Sequence, residues 1–192
     1  MMKPFLLACA SALVIQAALP SAASPANNVS VGPFRSIELR GGGHVILRHG
    51  SEQRVTLVQG SAEYTRFHIE HDGQLVIDAC DEICPHRYDL EVEIVTPRID
   101  GVAIEGGGKI ESGSGFGRQA SIGVAIEGGG HIDVRSIDAE HADAAVNGGG
   151  NISVRADRSL QAAVDGGGNI SYWGNPSVTS AVSGGGSVSQ GG

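Results

Sequence analysis

Apolar and polar residues alternate along much of the chain, and triple glycines interrupt the alternation. Val124 and Ile126 precede one such triplet, and Ile132 and Val134 follow it. A period of two is typical of a β-strand with one buried face. A helix is excluded, because three glycines in a helix interior would cost roughly 3 kcal/mol relative to alanine. The triplets are therefore predicted to be corners between strands.

The triplets form an internal repeat. The last five begin 22, 20, 18 and 18 residues apart, and each lies between a branched apolar residue two positions before it and Ile or Val two positions after it. A fixed frame at this spacing indicates structural units that stack on one another. The six triplets are Gly41–Gly43, Gly106–Gly108, Gly128–Gly130, Gly148–Gly150, Gly166–Gly168 and Gly184–Gly186.

Stacked units would bring their corners within about 4.8 Å of each other. A sharp bend, or a positive φ, in every layer would then favour glycine in every layer. Units of 18–22 residues can hold three short strands and three bends. The sequence therefore predicts an all-β protein, a single-stranded parallel β-helix with 18–22-residue coils, GGG corners and Ile and Val stacked inside.

The domain is expected to have two parts. Residues 101–189 hold the regular GGG repeats, and residues 29–100 are interpreted as less regular N-terminal coils, as expected of a terminal cap. A turn is predicted at Asp72-Gly73. Strands in the N-terminal part are predicted at Ser36–Leu39, His44–Leu47, Arg54–Val58, Phe67–Ile69, Leu75–Ile77 and Leu90–Val95.

The order of motifs resembles a known family. The motifs are residues 34–41 (FRSIELRG), residues 73–77 (GQLVI), Thr96-Pro97 before the GGG series, residues 172–176 (YWGNP) and the last frame, residues 183–188. Over about Val29 to Ser189, the chain resembles the autotransporter adhesin head domain family known as the GIN domain. The resemblance implies a right-handed parallel β-helix and a bacterial envelope or secreted protein, and it supplies no catalytic residues.

The first residues have the features of a targeting segment. A short positive start at Lys3 is followed by a largely apolar run, and small residues precede the predicted cleavage after Ala23, with Ala26 as the alternative site. The domains are thus a signal peptide at 1–23 and a GIN-type domain at 24–192. Lipidation at Cys9 is disfavoured, because too few apolar residues precede it. The chain is expected to be exported to the periplasm, the cell surface or the medium, with no transmembrane segment in its mature part.

Composition narrows the function classes. The formal net charge is −8, and the chain has no basic stripe, so nucleic acid is excluded as a partner. Aromatic residues make up 4% of the chain, too few for the stacked platforms that carbohydrate-active enzymes use. No nucleophile motif, P-loop or dinucleotide fingerprint is present. The chain is therefore predicted not to be an enzyme and to need no cofactor.

The cysteines after the leader are Cys80 and Cys84. Their C-x3-C spacing differs from the C-x2-C of thioredoxin-like motifs, and no second pair completes a zinc site. In an exported protein a local disulfide is favoured, and a metal or redox site, with His86 close by, is the alternative.

The corners also carry a candidate binding face. The position directly after the triplets varies in chemistry while its frame stays constant, which favours an exposed row over metal coordination. The residues before the triplets form a mostly acidic row of Glu105, Glu127, Asn147 and Asp165, interpreted as a solvated edge rather than a calcium site. The candidate binding face comprises His44, Lys109, His131, Asn151 and Asn169.

Three functions remain open. The favoured one is a non-catalytic cell-envelope module with adhesin-like binding to a surface glycan or protein, or with a structural role. The alternatives are a polysaccharide lyase-like or hydrolase-like enzyme, and a periplasmic accessory protein without an adhesive role. Carboxylates that converge in a groove would favour the enzyme, whereas a linear row would favour the binding module.

Overall fold

The computed structural model describes residues 27–80, 84–85 and 88–192. The predicted leader and both candidate cleavage sites lie outside these residues, as does His86. The described part of the chain contains no helix with the length and apolar character that a membrane span requires. The strands of the described ranges are β1 (Asn27–Val29), β2 (Ser36–Gly41), β3 (His44–His49), β4 (Arg54–Gln59), β5 (Arg66–Ile69), β6 (Gln74–Asp78), β7 (Glu91–Thr96), β8 (Gly101–Gly106), β9 (Lys109–Ser112), β10 (Gln119–Gly128), β11 (His131–Asp133), β12 (Ala139–Gly148), β13 (Asn151–Gly166), β14 (Asn169–Trp173), β15 (Ser177–Gly184) and β16 (Ser187–Gln190).

The strands form one mixed sheet. Thirteen of them are hydrogen-bonded in the order β1-β4-β7-β3-β9-β11-β13-β12-β10-β8-β2-β6-β5, and β14, β15 and β16 attach beyond β13. Strand β13 pairs with β11 on one side of this order and with β12 on the other. The sheet turns back on itself at β13 and forms a nearly closed mixed barrel. The all-β class is confirmed, but the predicted right-handed single-stranded parallel β-helix is wrong.

The antiparallel pairs explain part of this difference. Strand β4 runs antiparallel to both β1 and β7, and β5 runs antiparallel to β6. A turn at Asp72-Gly73, with φ of 81° at Gly73, joins β5 to β6. The strands predicted between residues 36 and 95 are present, but alternation reports only that a segment is extended. It does not report the direction of the neighbouring strand.

The long strand β13 explains the rest. Its residues 151–155 pair with β11 and β14 in one half of the sheet, and its residues 159–166 pair with β12 and β15 in the other half. No glycine or proline occurs between Asn151 and Asp165, so the chain bends without a break. The three short strands and three bends expected of each unit are therefore not formed.

The GGG corners stack in register, as predicted. The first glycines of the last five triplets pair from layer to layer through β8, β10, β12, β13 and β15. In most layers the middle glycine donates its N–H to the first glycine of the layer before. The Gly149 N–H, for example, lies 2.9 Å (N to O) from the Gly128 carbonyl, and that of Gly167 lies 2.9 Å from the Gly148 carbonyl.

Two of the three glycines in a corner cannot be replaced without displacing backbone. A Cβ at Gly148 would lie 2.5 Å from the Gly128 carbonyl oxygen, and φ there is +124°. A Cβ at Gly150 would lie 2.6 Å from Cγ2 of Ile126. A Cβ at the middle residue, Gly149, would meet nothing within 4 Å. The first and third glycines are therefore required by packing, whereas the middle one faces open space.

The core consists of apolar ladders between the two halves of the sheet. One ladder of one half runs through Ile104, Ile126, Val146 and Val164, which pair in register and are 1–2% exposed. A ladder of the other half runs through Ile110, Ile132, Ile152 and Ile170, 0–1% exposed. Each fully buried side chain of this type contributes roughly 1.5–3 kcal/mol. The prediction that Ile and Val side chains stack inside is confirmed at, for example, Ile152 and Ile170.

The corner geometry predicts opposite outcomes for neighbouring glycines. We expect Gly148→Ala to destabilise the protein by roughly 2 kcal/mol or more, because it combines an unfavourable φ with a clash against backbone. Gly149→Ala, the matched control, should stay within about 0.5 kcal/mol of the parent. Urea unfolding of the three proteins gives these free energies. Equal losses in the two variants would contradict the corner assignment.

Candidate functional site

The predicted binding face is a continuous row on the outside of one half of the sheet. Its members directly follow the corners, and parallel pairing of β3, β9, β11, β13, β14 and β16 places them side by side. All are exposed or half-buried. We call this the post-corner row, and it comprises the predicted His44, Lys109, His131, Asn151 and Asn169, together with Ser187, which pairs with Asn169.

The first part of the post-corner row is charged. Lys109 Nζ lies 2.8 Å from Glu111 Oε1, and His44 Nε2 lies 2.9 Å from Glu111 Oε2. The hydrogen bond from Lys109, together with the one from His44, holds the pKa of Glu111 below its usual range, although partial burial acts in the opposite direction. Glu111 therefore stays ionised and orients both side chains.

The second part of the row is a neutral hydrogen-bonded ladder. Asn169 Nδ2 donates to Asn151 Oδ1 at 3.0 Å, and Ser187 Oγ donates to Asn169 Oδ1 at 2.8 Å. His131 lies between the charged and the neutral parts, and its side chain makes no hydrogen bond or ion pair with any described residue. The row thus offers a cation, an imidazole and ordered amides along one line.

A second polar cluster lies beyond the neutral ladder. The Arg135 guanidinium is 4.9 Å from the centroid of the Trp173 ring. Arg135 Nη2 lies 3.0 Å from Asp133 Oδ2. Such a cation over an indole face is attracted by the ring quadrupole. Tyr172, in contrast, packs against the core next to Val154. The outer face therefore carries one half-buried aromatic ring beside its polar rows.

The acidic row lies on the other side of the corners. Glu105, Glu127, Asn147 and Asp165 pair in register on β8, β10, β12 and β13. All four are exposed. The carboxylates form a line along the stack, and Glu127 and Asp165, which Asn147 separates, line one shallow groove of about 470 Å³. Beside them, a shallow groove of about 610 Å³ follows the stacked alanines, which are Ala103, Ala125, Ala145, Ala163 and Ala181.

Comparison with known proteins gives a family. The sequence profile described as "Putative auto-transporter adhesin, head GIN domain" matches residues 33–116 and 102–176, which together cover most of the chain. The chain belongs to this family. No curated protein matches the sequence of this chain.

The solved structures that are similar to this chain are distant from it in sequence. A putative adhesin from Bacteroides fragilis is 17% identical, with 86% of this chain and 95% of that chain covered and a TM-score of 0.49. A putative adhesin from Parabacteroides merdae is 16% identical, with 88% and 96% covered and a TM-score of 0.39. A putative lipid binding protein from Parabacteroides distasonis is 14% identical, with the same coverage and a TM-score of 0.38.

The cysteines of this GIN domain follow β6, a strand that pairs with β2 and β5 and with none of the strands of the post-corner row. Cys80 and Cys84 form a disulfide directly after β6, with 6.0 Å between their Cα atoms.

Among the described residues, no three of the types His, Cys, Asp and Glu lie close enough together to hold a metal ion. His44 and His131 are separated in the post-corner row by Lys109.

Sequence reasoning missed two contributors to the face. Glu111 follows Lys109 by two positions on β9, so alternation alone places both side chains on one face of the strand. That signal was available from the sequence. The contact between Arg135 and Trp173 joins residues 38 positions apart and depends on the path of the chain, so no local pattern could have revealed it.

The cysteine pair predicts a thiol count. We expect the mature protein, purified from an oxidising compartment, to show no free thiol before reduction and two after denaturation with reductant. Ellman titration with intact-mass analysis measures both values. Two free thiols together with bound zinc in the native protein would contradict the disulfide and favour the metal site.

Proposed function

We propose that this protein is an exported, non-catalytic binding module of the bacterial cell envelope, and that it attaches to a surface glycan or protein through the post-corner row. The leader at residues 1–23 would direct the export, and residues 24–192 would form the mature domain. Membership of a family named for adhesin heads supports the class of function.

One observation carries the choice of face. The corner hydrogen bonds fix the backbone in each layer, while the side chains that follow the corners differ from layer to layer. A rigid row of exposed, chemically varied side chains suits recognition of an extended surface, because little conformational entropy is lost on binding. The hydrogen bonds from Asn169 to Asn151 and from Ser187 to Asn169 extend this pre-organisation to the side chains.

The electrostatics of the face suit a glycan or an acidic surface patch. The chain is acidic overall, at −8, but Lys109 and Arg135 place cationic groups on this face, beside the amides and hydroxyl of Asn151, Asn169 and Ser187. Amides and hydroxyls are the groups that hydrogen-bond sugar hydroxyls, and the Trp173 ring adds an aromatic surface. The carboxylates of the acidic row lie in a line along the stack, and this linear arrangement favours binding over hydrolysis.

The face is tested by replacing Lys109, His131 and Asn151 together with alanine. We expect the melting temperature to stay nearly unchanged, because exposed side chains contribute about ±0.5 kcal/mol each and exposed ion pairs about 0–1 kcal/mol. Binding to glycan arrays and to immobilised matrix proteins should be lost or strongly weakened, as measured by surface plasmon resonance.

The matched control replaces Glu105, Glu127 and Asp165, three exposed carboxylates across the corners, with alanine. This variant should bind like the parent. If it abolishes binding while the first triple variant retains it, the face is misassigned. Turnover of any arrayed polysaccharide by the pure protein would overturn the non-catalytic proposal.

A further inference from the structure

One end of the barrel has core positions that no described residue covers. Among the described strands, β15 is hydrogen-bonded only to β13, and β16 only to β14. Val178 and Val182 occupy the inward positions of β15 but are 37% and 46% exposed, whereas their partners one layer inside, Leu160 and Val164, are 0% and 2% exposed. We call the outer rim of β15 and β16 the C-terminal edge.

The C-terminal edge also presents unpaired backbone. Strand β15 is eight residues long and all of it is exposed. Along an edge strand, every second N–H and C=O points outward, and such a row is a template for pairing with another strand. Burying the two valines and pairing this row both require a further β-strand. The geometry of the edge therefore specifies a strand as its occupant.

Charge distinguishes this edge from the two other ends of the hydrogen-bonded path. Residues 177–192 contain no charged side chain. At the opposite rim, β1 has three residues and β5 has four, and β5 carries Arg66 and His68. Short strands and charged side chains are features by which proteins protect sheet edges from pairing. Strand β15, the longer strand of the C-terminal edge, has neither protection.

We propose that the C-terminal edge binds the same edge of a second copy of this chain, in a two-fold symmetric pair with antiparallel strand contacts. In such a pair, like residues meet like residues, so the surface must be neutral and self-complementary. The C-terminal edge meets both requirements in a chain whose net charge is −8. Val178, Val182 and the half-buried Val188 would then extend the core across the contact.

The pairing is tested by sedimentation of the mature chain over a wide range of protein concentrations. We expect a reversible monomer–dimer equilibrium for the parent. Val182→Lys should weaken association by about tenfold or more, because it brings two charges into an apolar contact. The matched control is Val58→Lys. Val58 is 39% exposed on β4, a strand paired on both sides, and this variant should dimerise like the parent.

Crosslinking tests the symmetry without disturbing the edge. Single cysteines are introduced at the outward positions of β15 by Thr179→Cys, Ala181→Cys and Ser183→Cys, and Asn28→Cys on β1 is the control. At least one β15 variant should form a disulfide-linked dimer on mild oxidation, and the control should not. The proposal would be overturned if the parent stayed monomeric at all concentrations or formed open-ended polymers. It would also be overturned if Val58→Lys and Val182→Lys weakened the dimer equally.

Discussion

The hydrogen bond between successive glycine corners is the constraint on which the rest of this structure depends. The carbonyl of the first glycine in one layer accepts the N–H of the middle glycine in the next, at 2.9 Å for the pair Gly128 and Gly149. Each carbonyl then occupies the space that a Cβ would need in the layer that follows, 2.5 Å away at Gly148. The repeat of glycine is therefore a consequence of backbone-to-backbone contact, and each triplet is required by its neighbours as well as by its own turn.

This constraint separates stability from recognition. The apolar positions on either side of the corner are fixed inward as buried ladders, such as the one that contains Ile132 and Ile152. The positions next to the corner point outward and contribute little to the core, so they are free to vary between layers. Histidine, lysine, asparagine and serine accordingly share one row at identical backbone geometry. The side chains of this outward row can therefore change without a change of fold.

The sequence predicted the local features well and the global ones poorly. Alternation and the GGG frame were sufficient to locate the strands, the corners, the inward phase of Ile152 and Ile170, and the outward row. They were insufficient to establish the direction of β4 and β5, because an antiparallel neighbour leaves the same alternation in the sequence. The continuity of β13 was also hidden, since the bend between Ala156 and Ser159 needs neither glycine nor proline.

The candidate site shows the same division. The members of the post-corner row were evident from their fixed offset to the glycines, and the paired Glu111 follows from alternation on β9. The cation over Trp173 arises only when β14 is brought beside the loop that carries Arg135. Whether an edge strand is covered is likewise a property of the assembled sheet. The exposed Val182 and the buried Val164 occupy the same position of the sequence frame. They differ because, among the described strands, none lies beyond β15 to cover Val182.

Residue-resolved amide hydrogen exchange by NMR tests the corner hydrogen bonds most directly. The amides of Gly149 and Gly167 should exchange slowly, at rates set by global unfolding, because each is bonded to the corner of the preceding layer. Gly42 is the internal control, since it occupies the same middle position but has no such bond among the described residues, and its amide should exchange rapidly. Rapid exchange at Gly149 and Gly167, equal to that at Gly42, would contradict the account.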